Sequence, residues 1–410
     1  MNARSLSVCL IVSLLSPLSL HAATKRRAAS PLVPNVIRIG ALFSLTGDGS
    51  SLGTASAAAL DLAIRDINQE LTDLQTPWRV ESIVEDTKLT PSIAAEKIVQ
   101  LDARGATYVI GPQSSSEAGA IREYANAHRM IVISQGSTAS SLAIAGDNLF
   151  RLAPNDKLEG AAMAALLRAD GIDTLVPMWR ADAGNGGLRD STKRSFEAAG
   201  GTVLDGVPYD PSTTNFASFV TALGSAVRGV KNAKPSAHVA VYLASFEEAA
   251  AIFDLARLDS DLSGIRWYGG DGVTQSQALL ASASVAAFGV ATQFTAPNVG
   301  LDETTRDRWE SISAAITLRT GFVPDALALS VYDAAWVATL SAIEVNNEAP
   351  FRRESFVRNV QRYWGLTGPT ELDAAGDRAL ANFDFWTMRV VDGKTDWVRT
   401  AQYAGGHVAR

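Results

Sequence analysis

From residue 35 onward, apolar and polar positions alternate between two rhythms. VIRIGALFSL (Val36–Leu45) is a nearly continuous apolar run of strand length. After the polar, glycine-rich TGDGSSLGT, the stretch AALDLAIRDIN places Leu60, Ile64 and Ile67 on one helical face. WRVESIVED and PSIAAEKIVQLDAR repeat the strand and the helix, with Pro91 in the first helical turn. TYVIG, MIVIS and NLFRLAP predict three more strands, the first two separated by a helix. Near-continuous apolar strands with helices between them predict a parallel, doubly wound sheet covered on both faces.

A second series of the same kind starts near Leu158. TLVPMW is a strand, LRDSTKRSFEAAGG a helix closed by Gly200 and Gly201, and TVLDGVPY another strand. Phe216, Phe219, Val220, Leu223 and Val227 share one helical stripe and read as core. HVAVYLA, the helix EEAAAIFDLARL and RWYGGDG continue the alternation. Two such series in one chain predict two lobes with a cleft between them. In open α/β sheets, ligands bind outside the C-terminal strand ends.

One strand end carries unusual chemistry. In TYVIGPQSSSEAGAIREYANAH the apolar run ends in Gly111 and Pro112, and Ser114, Ser115 and Ser116 follow where a helix begins. A helix start has unpaired amides and a partial positive charge. The serines can therefore cap the helix and line a solvated turn, or hold an anion.

Composition narrows the function. Apolar residues make up 47% and charged residues 19% of 410, a globular composition long enough for two lobes. The net charge of −7 argues against nucleic acid or an anionic membrane as partner. Arg4 precedes SLSVCLIVSLLSPLSL and then HAAT, so residues 1–22 read as a cleavable signal peptide. Cys9, the one cysteine, lies inside it, which leaves the mature chain without a disulfide or a thiol nucleophile. KRRAASPLVP reads as a flexible leader, and no transmembrane segment is predicted beyond the signal.

Enzyme signatures are missing. The sequence contains no G-x-x-x-x-G-K-[ST] and no H-E-x-x-H. AGNGGL reads as a tight turn, and His128, His238 and His407 are isolated from one another. Nothing singles out an acid–base pair among the many carboxylates. No catalysis, metal or cofactor is expected.

IRIGALFSLTGDGSSLGTASAAALDLAIRDIN, VEDTKLTPSIAAEKIVQL, YVIGPQSSSEA, IVISQGSTAS, FRLAPND and WYGGDG follow one another in this order. Together they resemble the type I periplasmic binding proteins of the leucine/isoleucine/valine-binding class, extracytoplasmic receptors that deliver small ligands to ABC importers. The resemblance runs from about Asn35 to about Val398. It implies an α/β fold of two Rossmann-like lobes with parallel sheets, joined by three hinge crossovers. One lobe would comprise residues 35–155 plus 296–366, the other 156–295 plus 367–400. It also implies a monomer that binds its ligand without cofactor and docks on a permease in the inner membrane.

The resemblance assigns ligand groups as well. The hydroxyl-rich loop falls on Gln113 to Ser116, with Ser115 as the contacting hydroxyl. The second loop falls on Gly136, Ser137 and Thr138, where a main-chain group and a hydroxyl share the ligand's carboxylate. Asp271, in GGDG, matches the acidic residue that contacts an α-ammonium. Physically, two hydroxyl-bearing loops plus helix-start amides make a neutral cage for one carboxylate. A carboxylate opposite pairs with an ammonium and rejects a second anion.

The sequence departs from the family pattern where aromatic residues often surround the ligand. Those positions read Leu52, Gly184 and Ser245, with Phe246 beside the last. The side-chain pocket is then either open or filled by Trp179 and Phe246, and Gln113 can add a polar contact. Trp179 and Leu52 can equally be a core aromatic and a loop anchor. Asp86 and Asp156 read first as turn residues, and Arg151 as the partner of a carboxylate near a crossover. The expected function is capture of an amino acid, branched-chain, aromatic or related, in the periplasm for an ABC importer. The alternative is a soluble sensor of the same fold acting on a regulator or receptor.

Overall fold

The computed structural model describes residues 35–379 and 381–410. The expected signal peptide, Cys9 and the leader lie outside the described residues. A first sheet of six parallel strands runs in the order Asp377–Arg378, Leu149–Pro154, Ile131–Ser134, Tyr108–Ile110, Asn35–Phe43, Trp78–Asp86. The second sheet runs His407–Ala409, Lys394–Ala404, Phe383–Val391, Thr295–Val299, Arg266–Gly269, Val239–Ala244, Thr174–Arg180, Thr202–Val203. From Thr295–Val299 onward in that order the pairing is parallel, and its C-terminal strands are antiparallel.

The predicted strands are apolar because both sheet faces are covered. Ile37, Ile39, Ala41 and Phe43 pack on the helices Ser50–Asp73 and Ala326–Glu344, while Leu42 and Val109 face the helices Pro91–Ala103 and Ser115–His128. In the second lobe Val220, Leu223 and Val227 are buried against Val241, Phe253 and Trp267, so the apolar stripe is core as expected.

Two helix starts differ from the sequence expectation. The first helix begins at Ser50, inside the stretch read as a loop. Gly53 is there for closeness and not as a breaker: a Cβ on it would lie 1.8 Å from the Ser44 carbonyl oxygen. AGNGG is likewise the first turn of the helix Ala183–Ala198, capped by the Asp182 carboxylate, which accepts the Asn185 amide at 2.8 Å. TVLDGVPY splits into Thr202–Val203 and Val207–Tyr209 around Gly206, whose φ is 76°.

The chain crosses between the sheets three times, after Pro154, after Val299 and between Arg378 and Phe383. The boundaries expected at 296 and 367 are therefore displaced. Thr295–Val299 is laddered to Phe383–Val391 in the second sheet, and Asp377–Arg378 to Leu149–Pro154 in the first. Thr367 also stays with the first lobe, where its amide and hydroxyl donate to the buried Asp333 carboxylate.

Two crossovers meet at one buried ion pair. Arg151 donates to Asp377 through Nε at 2.6 Å and Nη2 at 2.5 Å, and its Nη1 holds the Ala139 carbonyl at 2.6 Å. This is the carboxylate partner near a crossover expected for Arg151. Removing one partner strands a buried charge, so Asp377→Ala is expected to lower unfolding free energy by about 3–5 kcal/mol. Urea denaturation checks this, and a loss below about 1 kcal/mol, as for an exposed pair, would contradict it.

Candidate functional site

The three serines have different jobs. Ser114 is the N-cap of the helix Ser115–His128: its hydroxyl accepts the Glu117 amide at 3.3 Å, and the Glu117 carboxylate accepts the Ser114 amide at 3.2 Å. Ser115 reaches the neighbouring loop, where its Oγ accepts from the Ser137 hydroxyl at 3.0 Å, the Thr138 amide at 3.2 Å and the Ala139 amide at 3.1 Å. Ser116 accepts the Ala183 amide of the second lobe at 3.4 Å. The two loops approach so closely that a Cβ on Gly136 would lie 2.7 Å from the Gln113 carbonyl oxygen.

A cavity lies between the lobes. The first lobe contributes Leu52, Gln113 and Gly136, and the second contributes Phe246 and Asp271. Ser115, Ser137, Thr138, Ser245 and Trp179 are buried beside this region without lining the cavity. Ser137 and Thr138 are turned onto Ser115, and Trp179 carries the Arg189 guanidinium 4.0 Å above its ring. Gln113 is also engaged: its Nε2 donates to the Gly49 carbonyl at 2.8 Å, and its Oε1 accepts the Ser44 amide at 3.3 Å. Its side chain braces the first loop. The Ser245 hydroxyl is fully buried and has no hydrogen-bond partner among the described residues.

Electrostatically the second-lobe wall is acidic. Asp271 is half-buried in the cavity wall, and its pKa is pushed up to about 7, first by desolvation and then by the charge of Asp156. Its amide donates to Glu159 Oε1 at 3.1 Å, and Glu159 is itself raised well above the ordinary range by burial and by Asp271. Asp156 starts the helix Asp156–Ala169, with its amide on the Thr138 carbonyl at 2.9 Å. Burial raises it to about 6, opposed by the facing Thr138 hydroxyl and Arg151.

Several lining residues escaped the sequence reading. Phe322, Val323, Asp325 and Leu327 come from the segment after the second crossover, and Asp325 caps the helix Ala326–Glu344 by accepting the Ala328 amide at 2.7 Å. Glu247 is the more consequential omission. It follows the strand Val239–Ala244, so its place at a C-terminal strand end was a usable signal. Its carboxylate crosses the cleft and accepts the Ser50 amide at 2.9 Å, the Ser50 hydroxyl at 3.1 Å and the Ser51 hydroxyl. The first helix, Ser50–Asp73, has no side-chain cap of its own lobe, so Glu247 caps its positive end from the other lobe. The Ser276 hydroxyl holds the same carboxylate at 3.1 Å.

Glu247 thus links the lobes directly. Glu247→Ala is expected to release them, giving a larger radius of gyration than the parent protein in small-angle X-ray scattering without added ligand. Superimposable scattering curves would show that other contacts set the lobe separation.

Comparison with known proteins places this geometry in context. The periplasmic binding protein family pattern matches residues 36–395. An uncharacterized protein of Methanocaldococcus jannaschii, MJ1266, is 27% identical over 373 residues, covering 86% of this chain and 87% of that protein. The chemotactic signal transduction system substrate-binding protein BasB of Halobacterium salinarum is 29% identical over 189 residues, 43% of this chain and 44% of that one. Among solved structures, a leucine binding protein, LivK, of Thermotoga maritima has a TM-score of 0.74 at 18% identity, covering 90% of this chain and 99% of its own. A solute binding protein of an ABC transporter from R. palustris, in complex with benzoate, has a TM-score of 0.72 at 19% identity, with coverages of 89% and 96%. The family pattern extends over nearly all the described residues, and the chain belongs to the periplasmic binding protein family.

Proposed function

We propose that the protein captures an amino acid or a similar small carboxylate outside the cytoplasm and presents it to an ABC permease. The signal peptide expected at residues 1–22 would export it. The observation that supports this reading is that one cavity is lined by Asp271 on the second-lobe wall and by Gly136 on the first, in the loop whose Ser137, Thr138 and Ala139 bond the Ser115 hydroxyl. That pairing fits an ammonium at one end of a ligand and a carboxylate at the other. For the carboxylate to enter, the Ser115 hydroxyl turns from the Thr138 and Ala139 amides and donates to the ligand, while the amides do the same. Leu52, Phe246, Phe322 and Leu327 supply apolar surface for the side chain. Family-like micromolar affinity corresponds to about −8 kcal/mol, within reach of a few charge-assisted bonds plus apolar burial.

A second reading, ligand sensing, is favoured by the similarity to a chemotactic substrate-binding protein. The same cleft would then report occupancy to a receptor. Pull-down with membranes separates the two: capture of a permease supports delivery, and capture of a receptor supports sensing.

The Asp271 assignment has a pH signature. Free Asp271 titrates near 7, with Glu159, Asp156, Asp325 and the Tyr242 phenol around it, and an ammonium needs its carboxylate form. Affinity for an amino acid is therefore expected to rise as pH increases from about 6 to about 8. Asp271→Asn should cost roughly 2–5 kcal/mol of binding and flatten that rise. Calorimetry across pH checks both, and unchanged affinity in the variant would remove Asp271 from the ligand's ammonium. The same elevation acts on stability with a definite sign. The folded protein holds this proton more tightly than the unfolded chain, so the group's contribution to stability is lost as pH rises from about 4 to about 7.

A further inference from the structure

We propose that the second lobe carries an anion site of its own, away from the cleft, and that its ligand is a small molecule bearing a phosphate group. Arg266 opens the strand Arg266–Gly269, whose other end leads to Asp271. A pocket at Arg266 therefore lies at the opposite end of the strands from the interlobe cavity. Arg266, Arg389, Arg410, Gln293 and Asp170 line it, and Asp170 is the one carboxylate side chain on its wall among the described residues.

Three guanidiniums share that pocket with one carboxylate side chain, and the carboxylate is already engaged. Asp170 accepts from the Tyr268 hydroxyl at 2.6 Å, from Arg266 Nη1 at 2.7 Å and from Arg410 Nη2. It offsets one positive charge of the three. Arg389 is exposed at the rim and lies opposite Asp396 in the strand ladder, yet it forms no hydrogen bond or ion pair among the described residues. Arg266 Nε is fully buried and has no acceptor there either, although protein interiors normally supply one. The Arg266 guanidinium is nonetheless held in place, by Asp170 and by the Tyr268 ring 5.0 Å beneath it. Its fork is oriented before a ligand arrives.

The threonines on the same wall are occupied with one another. Thr387 Oγ1 lies 2.8 Å from the Thr295 hydroxyl and 2.8 Å from that of Thr400. Donors for a ligand are thus the guanidiniums and the Gln293 side-chain amide, which has no partner among the described residues. Planar guanidinium forks match the oxygens of a phosphate, and charge-assisted bonds of this kind are strong. More than one guanidinium is left unmatched, which suits a dianion better than a single carboxylate. The overall charge of −7 favours a free phosphate compound over an anionic bilayer as the source.

Calorimetry on the mature chain in phosphate-free buffer tests this with inorganic phosphate, and with acetate as a monoanion. Phosphate is expected to bind with a Kd below about 1 mM, at least about tenfold more tightly than acetate. Arg389→Glu, at an exposed and unpaired position, should weaken phosphate binding at least about tenfold, and Arg266→Gln repeats the test inside the pocket. Phosphate binding that survives both substitutions would overturn the inference. So would its loss in Ser115→Ala with Arg389→Glu binding normally, which would put the anion in the cleft. Co-sedimentation with phosphatidylglycerol vesicles, abolished by Arg389→Glu, in a protein that ignores free phosphate would keep the phosphate site and make a lipid headgroup its source. Binding of neither phosphate nor vesicles would remove the site, and would leave the amino-acid reading of the cleft untouched.

Discussion

The Arg151–Asp377 pair organises the molecule's working parts. Arg151 sits on the last strand of the first sheet before the chain first crosses, and Asp377 on the strand before it crosses for the third time. The guanidinium also holds the Ala139 carbonyl, and Asn155 Nδ2 donates to Asp377 Oδ2 at 3.2 Å. One buried charge pair thereby ties two hinge strands to the loop whose amides face Ser115. With both partners almost free of solvent, the Coulomb attraction is barely screened, and neither charge can be relieved by water. The loop carrying Thr138 is anchored there through the Ala139 carbonyl, and the Thr138 carbonyl in turn accepts the amide of Asp156.

Across the cleft the chemistry is reversed. The first lobe offers helix-start amides and hydroxyls, and the second offers carboxylates. Glu247 exploits this complementarity directly by capping the first helix from the opposite lobe. Asp271, Glu159 and Asp156 express it as carboxyl groups whose pKa values a desolvated wall holds above the ordinary range. The contact between the lobes through Glu247 follows from this arrangement, since donors on one side need acceptors on the other.

Much of the fold was legible in the sequence because the strands are buried on both faces and read as continuous apolar runs. Val36 to Phe43 and Tyr108 to Ile110 are examples. The helix starts were not, because Gly53 and the AGNGG stretch carry glycines demanded by close packing, which local rules read as turns. Lobe boundaries slipped for a related reason: Asp377–Arg378 is only two residues long, and its place is set by Arg151, distant in sequence. Of the residues expected at the ligand, Leu52, Gln113, Gly136, Phe246 and Asp271 line the cavity, and Ser115, Ser137, Thr138, Ser245 and Trp179 do not. The role of Gln113 as a loop brace, and the crossing of Glu247, depend on partners far along the chain. Spacing within a single stretch cannot show such contacts.

The central claim is that a neutral cage and an acidic wall select a ligand with a positive nitrogen. The most direct measurement is mass spectrometry of whatever small molecule is released on denaturing the mature protein after purification without refolding. The account predicts a nitrogen-bearing, amine-containing compound at about one per chain. A nitrogen-free acid, such as a benzoate, released in that proportion would contradict it.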